Sequence, residues 1–244
     1  MTAIVIGASA GLGRALSSTL AEQGQDLILV ASDARDLQPL CAHLQLSHDI
    51  KARAVDVDAS NISALQAALQ STISEGPAPT AIYLPIGLSQ DDDLITTQLA
   101  QTSNLWTVNY LSAVAAIQTT LPHLSRSEGT RIVGFGSIAT IRGRGRNVSY
   151  AAANRALSSY FESLRHDLSG EKVTVQFYQM GYIETQQVFG QATLLPAISP
   201  ERAADRIIRD GTRDFGARYL PRFWSMIALV LRNLPWAVFR KLKF

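Results

Sequence analysis

The sequence is poor in the features that mark secreted, disordered or membrane-spanning chains. It has one cysteine, Cys41, so no internal disulfide can form, which suits a reducing compartment such as the cytosol. Cys41 falls in a predicted helix with nothing nearby to activate a thiol, and reads as a small packing residue. No basic n-region precedes the strand-like start at Thr2, so a cleaved signal peptide is not expected. Charged residues make up only 17% and apolar ones 47%, a composition that excludes disorder and leaves ample material for a core. The most apolar run, Phe223–Leu231, is too short and too interrupted to span a bilayer. Acidic side chains are missing from one end altogether. Residues 1–217 carry 16 basic and 20 acidic groups, a balance of −4, whereas residues 218–244 carry six basic groups and no acidic one. The net charge of +2 therefore conceals a basic tail.

The body of the chain alternates. Short β-branched runs at Ala3–Ile6, Leu27–Val30, Ala52–Val57, Ala81–Leu84, Arg131–Phe135, Val173–Tyr178 and Arg218–Leu220 read as strands. Helical patterns cover Leu12–Gln23, Arg35–Leu46, Ile62–Ile73, Asn104–Leu121 and Tyr150–Leu168. Ser199-Pro200-Glu201 opens a further helix to about Arg213, with a serine cap and proline in first place. This order predicts an α/β fold: a Rossmann-like, doubly wound parallel sheet of about seven strands with helices on both faces. No repeat or low-complexity linker divides the chain, so one domain over residues 1–220 is expected, followed by an amphipathic helical extension, 221–244.

Gly7-Ala-Ser9-Ala-Gly11-Leu12-Gly13 follows the first strand and opens the first helix. Glycine there permits a tight turn and close backbone approach, while the helix N-terminus aims amides and partial positive charge at a pyrophosphate. A glycine-rich turn by itself also suits an ordinary strand–helix connection. Three glycines in the first βα unit of an alternating chain favour a dinucleotide. Ser137 lies thirteen residues before Tyr150, which opens the run Tyr-Ala-Ala-Ala-Asn154-Arg155.

Ser137, Tyr150, their spacing and the Gly-x3-Gly-x-Gly turn resemble the short-chain dehydrogenases/reductases, and the resemblance extends over nearly the whole chain. It implies that Tyr150 supplies a proton, Ser137 hydrogen-bonds the substrate carbonyl and Asn109 anchors a water relay in mid-helix. Asp56-Val57 matches the family's adenine-contacting pair. Gly87 is what Leu84-Pro-Ile-Gly87 keeps of its Asn-Asn-Ala-Gly. Gly181, Ile183 and Thr185 fall in its Pro-Gly-x3-Thr motif, with Met180 replacing the proline. These positions, with Gly7, Ser9, Gly11, Leu12 and Gly13, are the implied cofactor contacts; no metal site is expected. NADP is favoured over NAD, because Ala31 stands where NAD-users carry aspartate and Ser32, with Arg35, suits a 2′-phosphate. Asp33 and the lack of the arginine typical of NADP-users argue the other way.

One family position departs. The fourth residue after the tyrosine, normally a lysine that holds the nicotinamide ribose and lowers the tyrosine pKa, is Asn154. Moving a free phenol from ~10 to ~7 takes about 4 kcal/mol of phenolate stabilisation, which a neutral amide does not supply. Arg155, about 100° round the helix, should point elsewhere. In the reductive direction the tyrosine only donates, and a high pKa matters less.

Arg142, Arg144 and Arg146 lie at alternate positions between Ser137 and Tyr150, in the loop that borders the family's substrate cleft. Guanidinium groups recognise phosphate or carboxylate bidentately; a solvated loop making subunit-contact salt bridges is the other reading. The tail, with Trp224 and Trp236 among apolar and basic residues, suits an interfacial helix on an anionic membrane. It suits equally a helix packed on the sheet or on a partner with its basic groups reaching outward. Val230–Leu242 is similar to the end of the decaprenylphosphoryl 2-keto-sugar reductases, which keep the lysine.

These readings lead to an NAD(P)-dependent oxidoreductase reducing a keto group on a small-molecule, lipid-linked or sugar substrate of anionic character. The expected setting is cytoplasmic, with contact to the inner membrane face through 221–244. The alternative is a non-catalytic, membrane-associated dinucleotide-binding scaffold. Nucleic-acid binding is not expected, for want of aromatic platforms and a basic groove. The family's pairing through helices near 104–121 and 150–168 implies a homodimer or homotetramer.

Overall fold

Seven runs of mostly aliphatic residues pair side by side in the computed structural model, which describes residues 1–90, 92–184 and 195–242. The strands are β1 (Thr2–Ile6), β2 (Asp26–Ala31), β3 (Ala52–Asp56), β4 (Ala81–Leu84), β5 (Thr130–Ser137), β6 (Val173–Met180) and β7 (Gly216–Leu220). They form one sheet in the order β3-β2-β1-β4-β5-β6-β7, every neighbouring pair parallel. All residues of β1 and β4 are buried, as expected for central strands covered on both faces.

The pleat divides the core in two. Ala3 and Val5 pack on one face with Leu16 of α1 (Gly11–Glu22), Leu37 of α2 (Ala34–His48) and Ile207 of α7 (Pro200–Asp210). Ile4 and Ile6 pack on the other face. Their neighbours there are Leu65 of α3 (Ile62–Ser74), Ile117 of α5 (Ser112–Thr120) and Phe161 of α6 (Val148–Asp167). The α7 cap is as the sequence predicts: the Ser199 side chain accepts from the Arg202 amide, with Pro200 at the first helical position. The long helix before β5 differs from expectation. It starts earlier, as α4 (Leu99–Trp106), and passes through a π-helical turn, Thr107–Leu111, before α5. That turn is inserted where Asn109 reaches out of the helix to bond the backbone of Leu88, and such turns concentrate at functional sites. Two short helices, α8 (Trp224–Asn233) and α9 (Trp236–Phe239), follow β7.

The strand order reverses between β1 and β4. Connections leave to opposite sides there, so the C-terminal ends of these strands open a crevice. At the far edge a buried polar group locks α7 to the last strands. The Asp210 carboxylate accepts from the Tyr178 hydroxyl at 3.0 Å and from Arg218 at 2.8 Å. Removing it strands a buried hydroxyl and a guanidinium. Asp210→Ala is expected to lower stability in urea unfolding by about 2–4 kcal/mol. Asp205→Ala, which removes only an exposed 3.8 Å pair with Arg209, is expected to cost less than about 1 kcal/mol.

Candidate active site

The crevice is built first from the turn after β1. Gly7 holds φ at +93°, a conformation side chains disfavour, and its amide and that of Ala8 both donate to the Val30 carbonyl, at 2.8 and 3.0 Å. The α1 N-cap is Ala10, which offers no side-chain cap, so the first amides of the helix stay available to a ligand. Gly13 does not line the cavities; a Cβ there would lie 1.9 Å from the Gly7 carbonyl oxygen, so glycine lets α1 seat on the turn.

Two adjoining cavities follow. The larger, about 1390 Å³, is lined by Gly7, Ser9, Gly11 and Leu12 at one end and Ser137, Tyr150 and Asn154 at the other. The smaller, about 340 Å³, is lined by Ser32, Val57 and Asp58. Gly7, Ser9, Ile86, Gly87 and Leu88 line both, so together they accommodate an elongated ligand lying across the turn. This fits a dinucleotide. Asp56, expected at the adenine, does not line the smaller cavity; it is exposed at the end of β3, and Asp58 takes the lining position instead, its carboxylate accepting from the Ser60 amide. Asp33 is committed elsewhere too. It caps α2 and receives both the side chain and the amide of Arg35 at 2.9–3.0 Å. Those bonds hold its carboxyl below the usual range.

Four of the expected residues meet at the deep end. Ser137 closes β5, Tyr150 sits in the first turn of α6, Asn154 lies one turn on and Asn109 occupies the π turn; all line the larger cavity. Ser137 Oγ accepts from the Ala139 amide at 3.1 Å, and its hydroxyl faces the Tyr150 phenol across the cleft. Burial pushes the Tyr150 phenol up, and the nearby Ser137 hydroxyl offsets only part of that. The buried Asn154 amide donates to the Tyr150 carbonyl at 2.9 Å. Arg155 points away, as expected, and donates to the Thr140 carbonyl at 2.5 Å. None of the described lysines lines the cleft. Asn109 spends its side chain on the Leu88 amide and carbonyl and on the Leu105 carbonyl, at 2.8–2.9 Å. It fixes the loop after β4 against the helix. Gly87 leaves room for this, since a Cβ there would come within 3.3 Å of Asn109 Oδ1.

Gly181 and Ile183 line the cleft with Tyr182, while Thr185 lies outside the described residues. Of the three arginines expected at the substrate, Arg144 and Arg146 line the cleft. Arg142 does not. It turns to the C-terminal segment and donates to the carbonyls of Leu231 and Leu234 at 3.0 and 2.5 Å, because the end of α8 leaves those oxygens without helical partners.

One residue escaped sequence reasoning. Asp93 is fully buried, and its carboxylate accepts from the amides of Ser149 and Tyr150 at 3.0 and 2.8 Å. The α6 N-cap itself, Asn147, is left-handed and provides no side-chain cap. An anion from the β4 loop thus satisfies the helix that carries the tyrosine. In sequence, nothing singles out Asp93 from the three consecutive aspartates at 91–93.

A glycine-lined cradle at the strand reversal and a serine–tyrosine hydroxyl pair on one cleft define a dinucleotide-dependent oxidoreductase class. The family model described as short chain dehydrogenase matches residues 1–191, and the chain belongs to that family. It is similar to the 3-oxoacyl-(acyl-carrier-protein) reductase of Escherichia coli, 24% identical over 183 residues covering 75% of this chain and 73% of that one. A short-chain dehydrogenase from Sphingobium yanoikuyae in complex with NADPH superposes with a TM-score of 0.81 at 21% identity, covering 97% of each chain. One from Burkholderia cenocepacia in complex with NADP gives 0.80 at 22% identity, covering 88% of this chain and 93% of that. At these identities the two structures show the shared fold.

Asp93→Ala uncaps α6 beneath Tyr150. The expected result is a stability loss of about 1–3 kcal/mol and a fall of at least about tenfold in any turnover that depends on Tyr150, with dinucleotide affinity within about twofold of the parent. Calorimetry and steady-state rates check both.

Proposed function

We propose that the chain is an NADPH-dependent reductase of a keto group, acting on a substrate of anionic character. The observation that carries this is that Ser137 and Tyr150 line one wall of the cavity that begins at the glycine turn. A bound reduced dinucleotide supplies the hydride. The chain's own residues deal with the oxygen. Ser137 Oγ is held by the Ala139 amide, which leaves its proton to meet the substrate carbonyl. Tyr150 donates the proton that the developing alkoxide takes up.

The missing lysine sets a direction. Burial raises the Tyr150 pKa, and the neutral Asn154 amide provides no charge to bring it down. A raised phenol stays protonated as pH rises, so the acid needed for reduction persists while the phenolate needed for oxidation is scarce. Arg144 and Arg146 on the cleft wall support a phosphate or carboxylate on the substrate. With the basic tail, they favour a lipid-linked anion, of which a polyprenyl-phosphate keto-sugar is the kind suggested by the C-terminal resemblance. The preference for NADPH rests on Ser32 at the adenosine-side cavity and on Asp33 being neutralised by Arg35. Asn154 is also what favours the rival reading, a scaffold that binds dinucleotide without turnover.

The two readings separate in one series. The parent is expected to reduce a carbonyl panel at a rate level up to about pH 10, and Tyr150→Phe to lose about 10²–10⁴-fold. Asn154→Lys should raise alcohol oxidation near neutrality by at least about tenfold, and reduction by less. Dinucleotide binding with no turnover in parent, Asn154→Lys and Tyr150→Phe alike would establish the scaffold. For the cofactor, NADPH is expected to bind at least about tenfold more tightly than NADH, and Ser32→Asp to reverse that order. Fluorescence titration measures it.

A further inference from the structure

The segment after β7 has two unlike faces. Its inner face packs against residues of the cleft wall. Trp224 and Ala228 are buried against Ile138, Ile141, Tyr182 and Tyr219. The Trp224 indole fills the space a side chain at position 181 would need, since a Cβ on Gly181 would lie 2.2 Å from Nε1. Arg142, besides holding the Leu231 and Leu234 carbonyls, lies 4.1 Å over the buried Phe239 ring. It anchors α8 and α9 to the loop that also carries Arg144 and Arg146.

Among the described residues, the outer face is exposed. Met226, Leu229 and Val230, spaced as one stripe of a helix, are 70%, 63% and 60% exposed, and Trp236 is 64% exposed. Seven of the thirteen large apolar side chains exposed among the described residues fall between Phe223 and Leu242. Arg222, Arg232, Arg240 and Lys241 are exposed around them, and among the described residues none of the four forms an ion pair. A soluble surface rarely concentrates apolar area in this way without a partner. Among the described residues, no helix is long and apolar enough to cross a membrane.

We propose that the outer face of α8 and α9 docks on an anionic lipid bilayer, lying in the interface with Trp236 and the apolar stripe among the acyl chains. Charge selects this occupant. The segment carries six basic groups and no acidic one from residue 218 onward, which complements anionic headgroups. A second copy meeting this face through a two-fold axis would set the same basic groups against each other, and like charges in such a contact cost several kcal/mol. The inner face restrains the docked segment: Arg142 ties both helices to the loop that carries Arg144 and Arg146. The docking stands independently of catalysis.

The test uses the full chain and sedimentation with phosphatidylcholine vesicles, with and without phosphatidylglycerol. Binding is expected to the anionic vesicles, to weaken with added salt, and to be at least about tenfold weaker to the neutral ones. Leu229→Asp with Trp236→Asp, both at exposed positions, should abolish it. Arg240→Glu with Lys241→Glu should weaken it by at least about tenfold. Both pairs should keep parental dinucleotide affinity, which shows that they are folded. A chain that stays in the supernatant with both vesicle types overturns the proposal. So does binding that the substitutions leave unchanged, or a self-association that Trp236→Asp disrupts in the absence of lipid binding.

Discussion

The proposed chemistry turns on one aromatic hydroxyl, that of Tyr150, whose surroundings disfavour its ionisation. Tyr150 lines the cleft with Ser137 beside it, and burial outweighs the serine hydroxyl in raising its pKa. A cation one helical turn along would reverse the balance. In its place Asn154 turns its amide to the Tyr150 backbone carbonyl, and Arg155 is spent on Thr140. The phenol is left as an acid. A group in that state gives a proton readily to an alkoxide forming beside it, which matches carbonyl reduction better than alcohol oxidation.

Everything around the phenol serves to keep it in place. The parallel sheet puts the end of β5, with Ser137, next to the strand reversal where the glycine turn opens. Asp93 ties the loop after β4 to the first turn of α6, and Asn109 ties the same loop to the π turn. One loop therefore registers both the helix bearing the tyrosine and the helix facing it. A carboxylate accepting two amides at a helix N-terminus is a strong, directional restraint, with one bond buried and the other half-buried. The tail packs behind the cleft wall, through Trp224 against Gly181 and Arg142 beneath α9.

What could be read from the sequence was what local signals encode. Alternating apolar runs and helical stripes yield the sheet and its layers, Ser199-Pro200 yields the start of α7, and the glycine turn with the Ser137–Tyr150 spacing yields both ends of the cleft. The rest depends on partners far along the chain. Asp93 acts on residues 56 and 57 positions away, Arg142 on carbonyls 89 and 92 away, and neither pairing has a periodicity to betray it. The π turn is likewise a tertiary effect, drawn out by a bond between residues 21 apart. Asp56 ends β3 exposed while Val57 and Asp58 line the smaller cavity, because the sequence does not mark where the strand stops and the turn begins.

The most direct measurement is of the phenol itself. Difference ultraviolet titration of the dinucleotide-bound protein against Tyr150→Phe isolates its ionisation. No phenolate from Tyr150 is expected below about pH 10, the range of an unperturbed tyrosine. A phenolate appearing near neutrality would mean that some other group supplies the missing charge, and would contradict a reductase that works through a neutral acid.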